Sequence, residues 1–255
     1  MRRITELGGR RAPFLRWSAL RMVFGGRSLL KNWQVGDGRE QALFEYVEKH
    51  ASRGDATDVV RVIDEFCYRQ SIMMNVGDEK GELLDAALRK VDAGLVLELG
   101  TYCGYSATRM ASVAPKARIV SVEFSADNAA IARRMFDHAG VGDRVSVVVG
   151  HLGDGGTTAD RLETEQGFGP GSVDFAFVDH AKDAYLPDLQ LILDRGWLHP
   201  GSVVVADNVK LPGAPKYRAF MQEHEGKDWR TVEHATHVEY QTLLKDLVLE
   251  STYNP

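Results

Sequence analysis

The stretch LVLELGTYCGYSATRMASVA, residues 95–114, decides the fold. It opens on a Leu/Val run of strand length and closes on SATRMASVA, a helical segment, with Gly100 and Gly104 marking the turn between them. Downstream, ARIVSVEF (117–124), RVSVVVG (144–150), VDFAFVD (173–179) and GSVVVADN (201–208) are further Val- or Ile-rich runs, and NAAIARRMFDHAG (128–140) is helical between two of them. Strands alternating with helices argue for an α/β chain with a parallel, doubly wound sheet. Upstream, REQALFEYVEKHA and ATDVVRVIDEFCYRQ repeat apolar residues at helical spacing, and MNVGDEKGELLDAALRKV is a glycine-marked loop leading into another helix. PKYRAFMQEHEG predicts a late helix, and strand-like stretches around TVEHATH and LLKDLVLES close the chain.

With 255 residues, 44% of them hydrophobic and 26% charged, the chain has the composition of an ordinary soluble protein and the length for one sizeable domain or at most two small ones. A net charge of −5 gives no reason to expect a nucleic-acid partner. The charge is unevenly spread. Residues 1–35 hold eight Lys/Arg against the single acid Glu6, a net of +7, which leaves about −12 for the rest. This basic extension predicts a helix packed on the domain or on a second copy, a weak membrane-surface contact, or a targeting segment. Its apolar stretch is interrupted by Arg16 and Arg21 and is too short to span a bilayer. Cys67 and Cys103 fall in no metal-ligand spacing and read as reduced thiols of a cytoplasmic protein; the chain is expected as a monomer or homodimer.

Chemistry concentrates where the strands end. VDFAFVDHAK brings Asp179, His180 and Lys182, and GSVVVADN brings Asp207 and Asn208, to the same end of the sheet, where open α/β sheets bind ligands. Two carboxylates and a carboxamide suit a hard divalent cation such as Mg2+ better than Zn2+. At the first strand, Gly100 and Gly104 let a ligand approach the backbone, and Tyr105-Ser106 open a helix whose N–H groups favour polar atoms. The second strand ends in Glu123, placed to accept hydrogen bonds from ribose hydroxyls. A nucleoside-bearing cofactor without the G-x-G-x-x-G pyrophosphate cradle points to S-adenosylmethionine. Taken singly, a strand-end Asp is also a common cap, Asp-Asn a common turn, and His180 a possible structural hydrogen-bonding residue.

MNVGDEKG (74–81), VLELGTYCGYSATRMA (96–111), VDHAKDAYLPD (178–188), ADNVKLPGAP (206–215) and HVEY (237–240), in that order, resemble catechol O-methyltransferase over roughly residues 36–253. The resemblance implies a Rossmann-like class I methyltransferase fold over residues 36–255, with a seven-stranded, mostly parallel sheet whose last strand is antiparallel. It also implies Mg2+-dependent methyl transfer from S-adenosylmethionine to one hydroxyl of a catechol. By the same resemblance Asp179, Asp207 and Asn208 bind the metal, Lys182 is the base, and Glu239 holds the second hydroxyl. Pro212 walls the acceptor, while Met74, Val76, Gly100, Tyr102, Tyr105, Ser106, Glu123 and His180 surround the cofactor. A chelated catechol would ionise and orient more readily, which is why the chemistry calls for a hard cation beside a base.

The match departs around the pocket. Ile72 and Ala181 stand where the family has tryptophans, Leu152-Gly153 replaces a Ser-Gln pair beside the adenine, and Gln241 replaces an apolar gatekeeper. Without two large aromatic faces the acceptor should bind weakly and with mixed regiochemistry. Three other readings stand beside this one: methylation of a different phenol or diol, a non-catalytic binding relative, and a nucleotide-dependent oxidoreductase, the last disfavoured by the missing glycine fingerprint.

Overall fold

The computed structural model describes residues 37–255; the basic extension of residues 1–35, with every expectation placed on it, lies outside them. Three helices lead in: α1 (Arg39–His50), α2 (Ala56–Arg69) and α3 (Gly77–Leu88). The alternating portion follows as β1 (Leu95–Leu99), α4 (Tyr105–Val113), β2 (Arg118–Glu123), α5 (Ala126–Ala139), β3 (Val145–Val149), α6 (Thr157–Gln166), β4 (Val173–Val178), α7 (Tyr185–Asp194) and β5 (Leu198–Ala206). The chain closes with α8 (Pro215–Glu223), β6 (Trp229–His237) and β7 (Lys245–Tyr253). No helix among the described residues is long and apolar enough to cross a membrane.

Sheet order is β3-β2-β1-β4-β5-β7-β6, parallel from β3 through β5, with β7 antiparallel to both β5 and β6. The sequence reading of a seven-stranded, mostly parallel sheet with its last strand antiparallel is therefore what the chain forms. Its central parallel strands read as largely apolar runs because both faces are covered. Along β1, Val96 enters a core shared with α1 to α5, while Leu95, Leu97 and Leu99 enter a second core under α6, α7 and α8.

Local signals fix the helix ends. Asp55 caps α2 by accepting from the Asp58 amide at 3.0 Å, Ser125 caps α5 through the Asn128 amide at 3.3 Å, and Gly140 ends α5 in the left-handed region. The order β3-β2-β1-β4-β5 reverses direction between β1 and β4. That switch point brings the β1 turn beside the ends of β4 and β5, and it creates the crevice in which the candidate residues meet.

Candidate active site

The β1–α4 turn is held by carboxylates. Glu123, at the end of β2, accepts the amides of Thr101 (3.1 Å) and Tyr102 (2.8 Å) on one oxygen, and those of Ser125 (2.9 Å) and Asn128 (3.4 Å) on the other. Burial raises its carboxyl above the usual range, while these donors oppose the shift. Beneath the turn, Glu98 of β1 is fully buried and receives the hydroxyls of Ser106 (2.5 Å) and Ser121. Gly100 has φ +103, and a Cβ there would collide with the carbonyl of Asp179, so the ends of β1 and β4 touch only because this residue lacks a side chain. Tyr102 adopts φ +47 and donates its hydroxyl to Glu40 at 2.9 Å.

Several residues expected around a cofactor point their side chains elsewhere. Tyr105 is buried and donates to Asp64 of α2 at 2.8 Å, and Ser106 is spent on Glu98, so both offer the crevice their backbone. His180 gives its Nε2 to Asp188 at 2.7 Å and stacks on Tyr185 with ring centroids 5.1 Å apart. Its Nδ1 is buried with no partner among the described residues, leaving one nitrogen uncommitted. Met74 is half-buried and Val76 buried. Val76, Gly77 and Lys80 line one cleft with His237 at the end of β6 and with Val238 and Glu239 of the β6–β7 loop. A Cβ on Gly77 would sit 3.2 Å from the Cβ of Glu239, so these two loops pack in contact.

The second half of the crevice is built from charge. Lys182 begins a short 3-10 turn, Lys182–Ala184, directly after β4; its ammonium reaches Asp179 Oδ1 at 2.9 Å and the Tyr185 hydroxyl at 2.5 Å. Tyr185 passes its own proton to the Asp207 carbonyl at 2.9 Å, and burial raises its phenol well above the usual range. Asp207, completely buried at the end of β5, is held above the ordinary carboxylate range, first by burial and then by Asp179 and Glu239, with Lys80 and Lys182 opposing. Asn208, at φ +53, donates its side-chain amide to Glu239 Oε1 (3.0 Å) and Asp246 Oδ2 (2.7 Å). Pro212 lies on the exposed turn Val209–Gly213 that follows.

Three participants are absent from the sequence reading. Lys80 of α3, only 1% exposed, sits 2.8 Å from Asp207 Oδ2 and 3.2 Å from Asp246 Oδ2, and it also pairs with Glu239. Those three carboxylates keep its ammonium charged and above the usual lysine range although burial opposes it. Asp246 of β7 is buried and additionally accepts the Leu211 amide at 2.9 Å. Tyr185 is the third. Lys80 stood inside the quoted MNVGDEKG loop, and Tyr185 stands three residues after Lys182; Asp246, in a run read simply as strand, gave no signal.

The donor set fits a hard cation. Asp207, Glu239 and Asp246 each bring a carboxylate oxygen within 4.8 Å of the others, and the buried Asp207 Oδ2 faces the Lys80 ammonium at 2.8 Å with no other partner among the described residues. Oxygen-only ligands of this kind match Mg2+ rather than a softer metal. Of the other two expected ligands, Asp179 is engaged by Lys182 and Asn208 donates its amide to Glu239 and Asp246.

The pocket departures have visible consequences. Ile72 and Ala181 are half-buried small or aliphatic residues, and Leu152 is absorbed into the core at 1% exposure. Gln241 is turned inward: its amide donates to the carbonyls of Val238 (2.7 Å) and Leu244 (3.0 Å) and accepts the amides of Leu243 and Leu244 (2.6 and 2.7 Å). It staples the loop that carries Glu239.

A family profile described as O-methyltransferase matches residues 50–224. A probable O-methyltransferase of Mycobacterium tuberculosis is 60% identical over 232 residues, 91% of this chain and 99% of that one. The catechol O-methyltransferase of Mus musculus is 37% identical over 218 residues, 85% of this chain and 79% of that one. Among solved structures, the Streptomyces achromogenes O-methyltransferase of tomaymycin synthesis, crystallised with SAM, superposes with TM-score 0.61 at 24% identity, covering 83% of this chain and 90% of that one. At that identity the likeness speaks for the fold.

Proposed function

Because the chain belongs to the O-methyltransferase family, we propose that it moves a methyl group from S-adenosylmethionine to one hydroxyl of a catechol, with Mg2+ as the required ion. The observation that carries this reading is the union of Lys182, tied to Asp179 at 2.9 Å, with the oxygen cluster of Asp207, Glu239 and Asp246 at the ends of neighbouring strands. The curated relatives named catechol O-methyltransferase, and the SAM complex of the structural neighbour, support the acceptor and donor. The domain assignment follows the same reading: residues 36–255 form the methyltransferase domain, and residues 1–35 an extension to it.

In the mechanism, Asp179, Asp207 and Asn208 would hold the metal, with Glu239 and Asp246 completing the oxygen-rich wall. When bound, the cation would supply the positive charge that favours the ionised catechol. Lys182 in its neutral form accepts the proton of the hydroxyl to be methylated. Asp179 and Tyr185 fix the position of its Nζ, and Tyr185 in turn is anchored on the Asp207 carbonyl. Glu239 orients the second hydroxyl. On the donor side, Glu123 receives the ribose hydroxyls, and Gly100, Tyr102, Tyr105 and Ser106 present the backbone of the β1–α4 turn. Met74, Val76 and His180 close the donor pocket. Pro212 and Val238 wall the acceptor, and the small residues Ile72 and Ala181 leave it wide, so a raised KM and two regioisomers are expected.

The deciding experiment is transfer of labelled methyl to a panel of catechols, with Mg2+ and with EDTA. Product that forms only with the metal, and as a mixture of isomers, supports the proposal. Catechol methylation indifferent to EDTA overturns the metal requirement, and a single isomer at micromolar KM overturns the open pocket. Methylation of simple phenols alone would replace the catechol.

A further inference from the structure

We propose that Lys80 is a built-in counter-cation of the metal site: it holds the three carboxylates together without metal and limits how tightly a divalent ion binds. The inference rests on the metal reading given above. Lys80 does not reach the site by chance of a flexible chain. It leaves the first turns of α3, is almost wholly buried, and spends its ammonium on Asp207, Glu239 and Asp246, the same three groups that form the candidate ion cluster. Burying an ammonium is costly unless carboxylates surround it, and burying three carboxylates is costly unless a cation sits among them. Each side of this arrangement therefore requires the other when no metal is bound.

The charge count then sets the ion. In their ionised forms Asp207, Glu239 and Asp246 bring three negative charges and Lys80 one positive, while Lys182, as the ammonium it is before it loses the proton, neutralises Asp179. Two negative charges remain, matched to one divalent ion. A cation entering beside Asp207 also meets the repulsion of an ammonium now 2.8 Å from that carboxylate. That repulsion, acting in a buried site, keeps the affinity moderate and the ion exchangeable. Lys80 also ties the cation site to the MNVGD loop, which leads into the same helix.

The test uses the full chain stripped with EDTA, with Mn2+ and Mg2+ alone as probes and no methyl donor present. Affinity is read by titration calorimetry and by the magnetic resonance signal of free Mn2+, and stability by thermal unfolding. Lys80→Gln, which keeps a hydrogen-bonding amide without the charge, should bind Mn2+ at least about tenfold more tightly than the parent. It should also melt lower without metal and gain more from adding it. Lys80→Arg, which keeps the charge, should stay within about threefold of the parent affinity. If Lys80→Gln binds as the parent does, or more weakly, the counter-cation idea fails while the metal site stands. If the parent and Lys80→Gln both ignore Mn2+ and Mg2+, the metal reading itself fails. Should Lys80→Gln be unfolded without metal, millimolar Mg2+ is expected to restore its native circular dichroism; no recovery would overturn the proposal.

Discussion

The two halves of the crevice are built from different materials. The donor half, around the β1–α4 turn, is made almost wholly from residues 98–128, and its carboxylates Glu98 and Glu123 are satisfied by nearby hydroxyls and amides. The acceptor half gathers Lys80, Lys182, Asp207, Glu239 and Asp246 from five separate stretches and holds them by charge. A hydrogen-bonded turn is rigid before any ligand arrives. A cluster of three carboxylates around one ammonium is held together but carries unequal charges. The contrast suggests that the donor half reads a shape and the acceptor half completes a charge balance.

The largest expected effect breaks the acceptor half while sparing the donor half. Lys182→Met should lower kcat for methyl transfer by about 10^2- to 10^4-fold, the usual worth of a general base, with the affinity for S-adenosylmethionine nearly unchanged. Steady-state kinetics beside donor titration check it, and a kcat within a factor of a few of the parent would remove Lys182 from the chemistry.

Gly100→Ala strikes the seam between the halves. The added methyl meets the Asp179 carbonyl at a residue held at φ +103, so strain of about 1–3 kcal/mol is expected. Both donor binding and the Lys182–Asp179 pair should suffer together. Urea midpoints and donor titration measure this, and a substitution that disturbs only one ligand would argue that the halves are mechanically separate.

A smaller effect is expected in the loop that presents Glu239. Gln241→Leu removes four hydrogen bonds within that loop; the Val238 carbonyl and the Leu243 and Leu244 amides lose those partners, while the Leu244 carbonyl keeps the Val238 amide. We expect a loss of about 2 kcal/mol or somewhat more, seen as a higher acceptor KM with donor affinity intact.

The last effect, on stability rather than on turnover, concerns pH and lies behind both halves. Asp64 of α2 accepts the hydroxyls of Tyr105 and Tyr240, one from each half, on the same oxygen. Burial pushes its carboxyl up to about 7, with the Asp78 charge adding to the shift and the two phenols and Arg109 opposing it. A carboxyl raised in the folded state binds its proton more tightly there than in the unfolded chain. This contribution to stability is therefore full at low pH and declines as pH rises from about 4 to 7, by at most about 1.4 kcal/mol per unit. Asp64→Asn keeps the accepting oxygen and removes the titration, so its unfolding free energy should be flatter over that window. An unchanged slope in denaturant titrations from pH 4 to 8 would show that Asp64 does not bind the proton.

Much of this was legible in the chain. Strand and helix periodicity located the sheet within a residue or two for β1 to β4, because parallel strands buried on both faces must be apolar throughout. β5 begins earlier than its apolar run, at Leu198, since the pairing with β4 shifts register around Pro200-Gly201. Glu123 and the trio Asp179, Asp207 and Asn208 stood out because each follows a strand, where polar residues are not needed for the core. Lys80 and Asp246 did not stand out. Nothing local distinguishes a buried lysine from a solvated one on an amphipathic helix, or a functional carboxylate from the exposed face of a strand.

The sequence by itself determined the order of elements, the glycines that permit the β1 turn, and the residue types able to serve a methyl transfer. Those depend on period, backbone freedom and side-chain chemistry, all written locally. Only the tertiary structure decided which charges meet. Lys80 and Asp246 lie 166 residues apart, and their pairing exists because β7 inserts antiparallel beside β5 and carries its carboxylate under α3. Electrostatic partners are chosen by distance in space, and that distance is known only once the sheet has closed.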